Sequence, residues 1–376
     1  MFREKTKESN FIDRSQFLKK ASHLLLGMFA MINFPFSNSK FFSEKSNMFK
    51  VLKLPNVGPW PTLDPFLFCV HHNDSYPKGN DDMGPDEELD GRSLGSDFSN
   101  LNGWSMYHGS KVPGFPRHPH RGFETITIVD KGLIDHSDSL GYSARYGDGD
   151  VQWLTAGDGI EHSEMFPLLD TEDSNPIDFF QIWINLKSDN KRVSPNFSMF
   201  WKDEIPKVIE YDKNKLRTEV QVIAGVYKNK NAPNPPPNSW ATEKQNFVNI
   251  WKIKLDSKAE FVLPEVENGV SRALYFYKGR SLSINDQNIN YRSMIEIHGS
   301  DQVKISSLSD ESFILLLQSR PINEPIIKYG PFVMNNRKEI EEAFDDYNRC
   351  GFGSWDWSDS GPVHGRKYKK FAIGDN

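Results

Sequence analysis

The feature that most constrains this chain is a long succession of short apolar runs, rich in β-branched and aromatic residues and separated by turn formers. The first half carries Phe66–Val70, Thr125–Val129, Val151–Leu154 and Phe179–Leu186. The second carries Glu219–Ala224, Phe247–Leu255, Arg272–Tyr277, Ser293–Ile297 and Phe313–Leu317, broken by the proline-rich loop Ala232 to Pro237. Runs of this length and composition are strands, and strand after strand with turn-rich connections gives a barrel or a sandwich. The 27 Phe, 12 Tyr and 9 Trp supply the flat rings that pack on pleated surfaces. A length of 376 residues exceeds what one core organises, so two domains are expected. One helix stands out. Arg337 to Tyr347 places Ile340, Ala343, Phe344 and Tyr347 at helical spacing, with Gly351 just beyond. The polar segment Asn73 to Gly103 reads as a long surface excursion.

A formal net charge of −6, with no long Lys/Arg block, provides no field for a phosphate backbone, so direct nucleic-acid binding is not expected. Two cysteines, Cys69 and Cys350, lie far apart without CxxC spacing, which excludes a disulfide framework. Residues 1–50 differ from the rest. Arg14 to Lys20 precedes the largely apolar stretch Ala21 to Phe36, the layout of a secretory signal with Ser15 in one position of a twin-arginine pair. An amphipathic or disordered leader is the competing reading. The location is accordingly cytoplasmic, or periplasmic if the leader is a working signal.

The chemistry concentrates in two short segments. In Phe115 to Thr125, His118 and His120 are two apart; side chains alternate in an extended chain, so both imidazoles reach the same side. Pro119 between them cannot donate a ladder hydrogen bond, which suits a strand edge. In Gly149 to Met165 the device returns with His162 and Glu164, while Glu161 and Ser163 point the other way. Two such pairs have the layout of one four-ligand site. Three neutral imidazoles and a carboxylate suit iron, manganese, nickel, copper or zinc better than the oxygen-seeking calcium and magnesium. No serine elbow, P-loop or dinucleotide fingerprint supports hydrolysis, phosphoryl transfer or NAD chemistry.

At these residues the chain resembles the pirin family of the cupin superfamily. His118-Pro-His-Arg-Gly-Phe-Glu-Thr and Gly149-Asp-Val-Gln-Trp-Leu-Thr-Ala-Gly, followed by Gly-Ile-x-His-Ser-Glu-Met, are similar to its two signature motifs. Phe180-Gln-Ile-Trp-Ile-Asn-Leu, Tyr329-Gly-Pro-Phe-Val-Met-Asn and Gly361-Pro-Val-His-Gly-Arg extend the likeness, which runs from about Trp60 to the C-terminus. The resemblance implies an all-β fold of two cupin-type β-barrels with a short C-terminal helix. Residues 51–204 would form the metal-binding cupin and 205–334 a cupin-like domain without ligands, with 335–376 packing on both. It implies metal ligation by His118, His120, His162 and Glu164, with iron(II) the expected ion. It also implies a quercetin 2,3-dioxygenase-like activity on flavonols or enediols, using dioxygen, with Glu164 as the base that takes the substrate hydroxyl proton. The alternative it carries is a non-enzymatic metal- or redox-sensing regulator acting through a protein partner. A monomer is expected.

Other candidates carry blander expectations. Glu124, four residues after His120, reads as a support for the ligands. His136 reads as a polar strand-end residue. His71 and His72 should point oppositely, and His298 and His364 lack metal-spaced partners. Cys69 reads as core, and of Gln152 and Trp153 one should line the cavity while the other packs outside.

Overall fold

The computed structural model describes residues 48–374. Most of the expected leader therefore lies outside the described residues, and its last positions, Phe49 and Lys50, belong instead to the first strand. The strands follow in chain order: β1 (Phe49–Lys53), β2 (Phe66–Tyr76), β3 (Gly114–His120), β4 (Phe123–Lys131), β5 (Leu133–Asp138), β6 (Ser143–Gly147), β7 (Val151–Thr155), β8 (Ile160–Met165), β9 (Asn175–Asn185) and β10 (Asn196–Phe200). The second half contributes β11 (Lys207–Tyr211), β12 (Arg217–Ala224), β13 (Val226–Tyr227), β14 (Lys230–Asn231), β15 (Asn249–Leu255), β16 (Glu260–Leu263), β17 (Ser271–Lys278) and β18 (Leu282–Ile284). It continues with β19 (Gln287–Ile289), β20 (Ser293–Ile297), β21 (Val303–Ser307), β22 (Ser312–Ser319), β23 (Ile327–Tyr329), β24 (Phe332–Met334), helix α1 (Arg337–Cys350) and β25 (Phe371–Ile373).

These strands form two cupin-like jelly rolls, each built from two sheets rather than one closed ring. The first unit pairs the sheet β10-β7-β4-β9-β2 with the sheet β25-β6-β5-β8-β3. The second pairs β1-β20-β17-β22-β15-β12-β11 with β16-β21-β18-β19. The chain passes between sheets at glycine corners where the ladder breaks. At Gly132, between β4 and β5, φ is +84° and a Cβ would stand 2.9 Å from the Pro176 carbonyl, so only glycine fits without displacement. Each unit has its own interior: Val129, Ile134, Tyr146, Phe166 and Phe179 in the first, Val222, Ile253, Phe261, Leu274 and Ile305 in the second.

Period-two alternation then decides what lies between the units. The outward faces of β4, β7 and β9 carry Ile126, Ile128, Trp153, Phe180 and Ile182, which share one core with Ile250, Tyr275, Leu315 and Leu317 of the larger sheet. The termini reinforce this union. β1 lies antiparallel to β20 in the second unit, and β25 lies antiparallel to β6 in the first. Helix α1 begins where the Asn336 side chain accepts from the Glu339 N–H at 3.0 Å, and it buries Ile340 and Ala343 against Phe332 and Met334.

From 77 to 103 the chain is mostly exposed, as the reading of Asn73 to Gly103 expected, but its start and a few anchoring residues differ. β2 continues through Tyr76, and Asp74 is buried because Tyr107 Oη donates to it at 2.8 Å and the Ser105 N–H at 2.9 Å. Farther along, Arg92 pairs with buried Asp97 at 2.9 Å and covers the Trp104 ring. A carboxylate leaves the surface only where it finds such partners, as Asp74 and Asp97 do within an otherwise exposed segment. Among the described residues no helix is long and apolar enough to cross a membrane.

Candidate metal centre

The site begins with a ladder. β3 and β8 are antiparallel with His118 directly opposite His162, so two imidazoles meet across one pair and His120 joins them from the next same-face position of β3. A register shift between Phe115 and His118 re-aims the strand just before the ligands. The turn out of β3 requires Gly122: φ is +85°, and a Cβ would fall 2.1 Å from the Val333 carbonyl oxygen. The ligand atoms of His118, His120 and His162 lie within 4.8 Å of one another, and among the described residues this is the cluster able to hold a metal ion.

Glu164 stands beside this cluster rather than in it. Its Oε2 is 3.9 Å from His162 Nε2. Gln181 Nε2 donates to that oxygen at 2.8 Å, and Thr127 Oγ1 donates to Oε1 at 3.2 Å, both from the facing sheet. Burial raises its pKa, opposed by His136 and these two donors.

The donor chemistry fits a transition ion. His118 Nδ1 lies 2.9 Å from the Pro116 carbonyl, which can only accept, so Nδ1 carries the proton and Nε2 keeps its lone pair. His162 is fully buried, and among the described residues neither of its ring nitrogens has a hydrogen-bond partner. An imidazole so placed loses its hydration without recompense unless something binds it. Burial pushes the pKa of His118 down to about 4 and those of His120 and His162 well below the usual imidazole range. All three are therefore neutral at physiological pH, the form that ligates metals.

One neighbour was not evident in the sequence reading. His136, expected at a strand end, is fully buried in β5 opposite Glu164, its ring 5.5 Å from His162 and its Nε2 2.9 Å from Asp138. The signal was present: His136 and Asp138 have the same spacing of two as the other pairs. Glu124, in contrast, does not support the ligands. It faces the other side of β4, where Thr155 Oγ1 donates at 2.6 Å and Ser239 Oγ, from the second unit, at 2.5 Å. Alternation explains this, since Thr125 and Thr127 take the inward face.

The remaining residues divide by face as well. Gln152 turns inward, accepting from Tyr146 Oη at 3.4 Å, while Trp153 joins the core between the units. His71 reaches Asp178 at 2.7 Å and His72 reaches Tyr107 at 2.8 Å on opposite sides of β2. His364 lies 2.8 Å from the His136 carbonyl through its Nε2, outside the cluster. Glu161 points away from the cavity, where Arg117 binds it through two nitrogens and Tyr347 Oη donates at 2.7 Å. Cys69 is a buried core residue whose thiol is pushed up by burial.

Known proteins share this architecture. A crystal structure of quercetin 2,3-dioxygenase from Acinetobacter baumannii superposes with a TM-score of 0.64 at 25% identity, covering 82% of this chain and 98% of that one. A Pseudomonas aeruginosa protein provisionally named quercetin 2,3-dioxygenase is 32% identical over 64% of this chain and 79% of its own length. Human pirin is 32% identical over 70% of this chain and 87% of its own length. The profile of the pirin family matches residues 54–184, the first jelly roll with its three histidines, and that of the pirin C-terminal cupin domain matches residues 250–353. Both units are thus accounted for in chain order, and this chain belongs to the pirin family.

Proposed function

We propose that the protein is a metal-dependent oxygenase of the quercetin 2,3-dioxygenase kind, acting on flavonol or enediol small molecules, with one divalent transition ion held by His118, His120 and His162 and with Glu164, whose Oε2 is 3.9 Å from His162 Nε2, turning in from beside them as the fourth ligand. The observation that carries this reading is the fully buried His162 with two unpartnered ring nitrogens, facing His118 across the ladder. The names of the Acinetobacter and Pseudomonas relatives support the reaction class.

A bound transition ion supplies a Lewis-acid position for an ionised enol oxygen and electron exchange with dioxygen. The chain's own residues do the rest. Glu164, its pKa raised by burial, is a better proton acceptor than an exposed carboxylate and takes the substrate hydroxyl proton. Gln181 and Thr127 fix its orientation. The apolar interior around Phe166 and Phe179 keeps water from the reacting atoms.

The test combines anaerobic quercetin binding with oxygen uptake in the iron, manganese, nickel and copper forms. The reading predicts oxygen consumption equimolar with quercetin in at least one form. No uptake in any form, with quercetin or related enediols, contradicts it.

A further inference from the structure

Two lysines lie at the end of the first jelly roll, Lys191 buried and Lys328 half-buried, and they differ in what they meet. Lys191 Nζ donates to the carbonyls of Gly122 and Val333 and to Asn185 Oδ1, at 2.8, 3.0 and 2.7 Å. Among the described residues Lys328 Nζ has no such partners. It lies on β23, whose hairpin mate β24 carries Val333 into a small cluster with Phe123 and Trp183. Its Nζ stands 4.8 Å from the Trp183 ring and 5.3 Å from the Phe68 ring, and among the described residues no carboxylate approaches it within 4.0 Å. Aromatic faces offset part of an ammonium's lost hydration but supply no acceptor for its hydrogen-bond donors. Burial lowers its pKa to about 8, which leaves it mainly charged at neutral pH.

A second observation points to the same place. Trp183 is 1% exposed, and its indole N–H is buried without an acceptor among the described residues. The same indole packs on the ligand His120, with ring centroids 5.4 Å apart. An unpaired ammonium and an unpaired N–H thus share one aromatic patch, a single ring away from the imidazole cluster. What such a pair lacks is an anionic oxygen.

We propose that Lys328 and Trp183 form an oxyanion-recognition pair at the rim of the metal cavity, so that the favoured ligands are aromatic enediols or catechols bearing a carboxylate. The enediol end addresses the imidazole cluster and the carboxylate addresses Lys328. This rests on the reading of the cavity as a small-molecule site and narrows its substrate class. Lys328 is a specificity residue, remote from the reacting atoms.

A matched pair of probes isolates the charge: 3,4-dihydroxycinnamate and its methyl ester, titrated calorimetrically under nitrogen into the full chain loaded with nickel. A charge-assisted contact in a sheltered site favours the acid by about tenfold or more in wild type. That preference falls to about twofold or less in Lys328→Met and survives in Lys328→Arg, which keeps the charge. Nickel content of each variant, measured on the same sample, reports that the site is intact. Equal binding of acid and ester by wild type, an unchanged preference in Lys328→Met, or no binding of either probe overturns the proposal. Oxygen uptake with quercetin is judged separately. Turnover without acid preference removes the role of Lys328 alone, whereas acid preference without turnover removes the oxygenase reading alone.

Discussion

Glu124 shows how one residue's environment becomes a measurable property. Burial between the two units pushes its pKa from an ordinary 4.5 to about 7. A carboxyl with a raised folded pKa contributes stability that is fully present below about 4.5 and lost as pH rises through about 7. Glu124→Gln stays neutral throughout. Urea unfolding should therefore give equal stabilities for variant and wild type near pH 4.5, and a variant more stable by about 3 kcal/mol above pH 7. A gap that does not change with pH contradicts this. At the same scale, the sequence reveals the clustered histidines because spacing of two in a strand is a geometric statement. It does not reveal which face of β4 carries Glu124, since Glu124 differs from a cavity residue only by the register of its strand. Nor does it reveal that Trp183 and Lys328 meet, a contact between residues 145 positions apart whose backbones belong to different elements.

The elements that hold the site are the β3–β8–β5 ladder and the β23–β24 hairpin that closes its end. Gly122 joins the two, because the Val333 carbonyl occupies the space a side chain would need. Gly122→Ala should lower stability by about 2 kcal/mol or more, through strain at positive φ and displacement of the hairpin. Chemical denaturation checks this, and a loss under 0.5 kcal/mol would show that the hairpin gives way freely. Helix α1 offers a smaller test. Asn336→Ala removes the acceptor for the Glu339 N–H and should cost about 1 kcal/mol. Both ends of this helix are legible in the sequence, since Asn336 and Gly351 are chemically suited to starting and stopping a helix. The extent of β2 is not, because His71 to Ser75 looks like a loop until Tyr107 and Asp178 supply its partners.

At the scale of the whole molecule, the two jelly rolls share a core and exchange terminal strands, so neither half has a complete set of contacts alone. Calorimetry should show one unfolding transition rather than two separated ones. The broad architecture follows from strand count and turn spacing, whereas the exchange of β1 and β25 leaves no trace in either short segment. What the molecule is for depends on whether alternate residues of β3 and β8 serve a common ion. The direct measurement is elemental analysis of protein purified without added metal, for wild type, His136→Gln and the combined His118→Gln, His120→Gln, His162→Gln variant, each shown to be folded. We expect about one transition-metal ion per chain in wild type and in His136→Gln, and almost none in the triple variant. A folded triple variant that retains the wild-type metal content would contradict the assignment of the site.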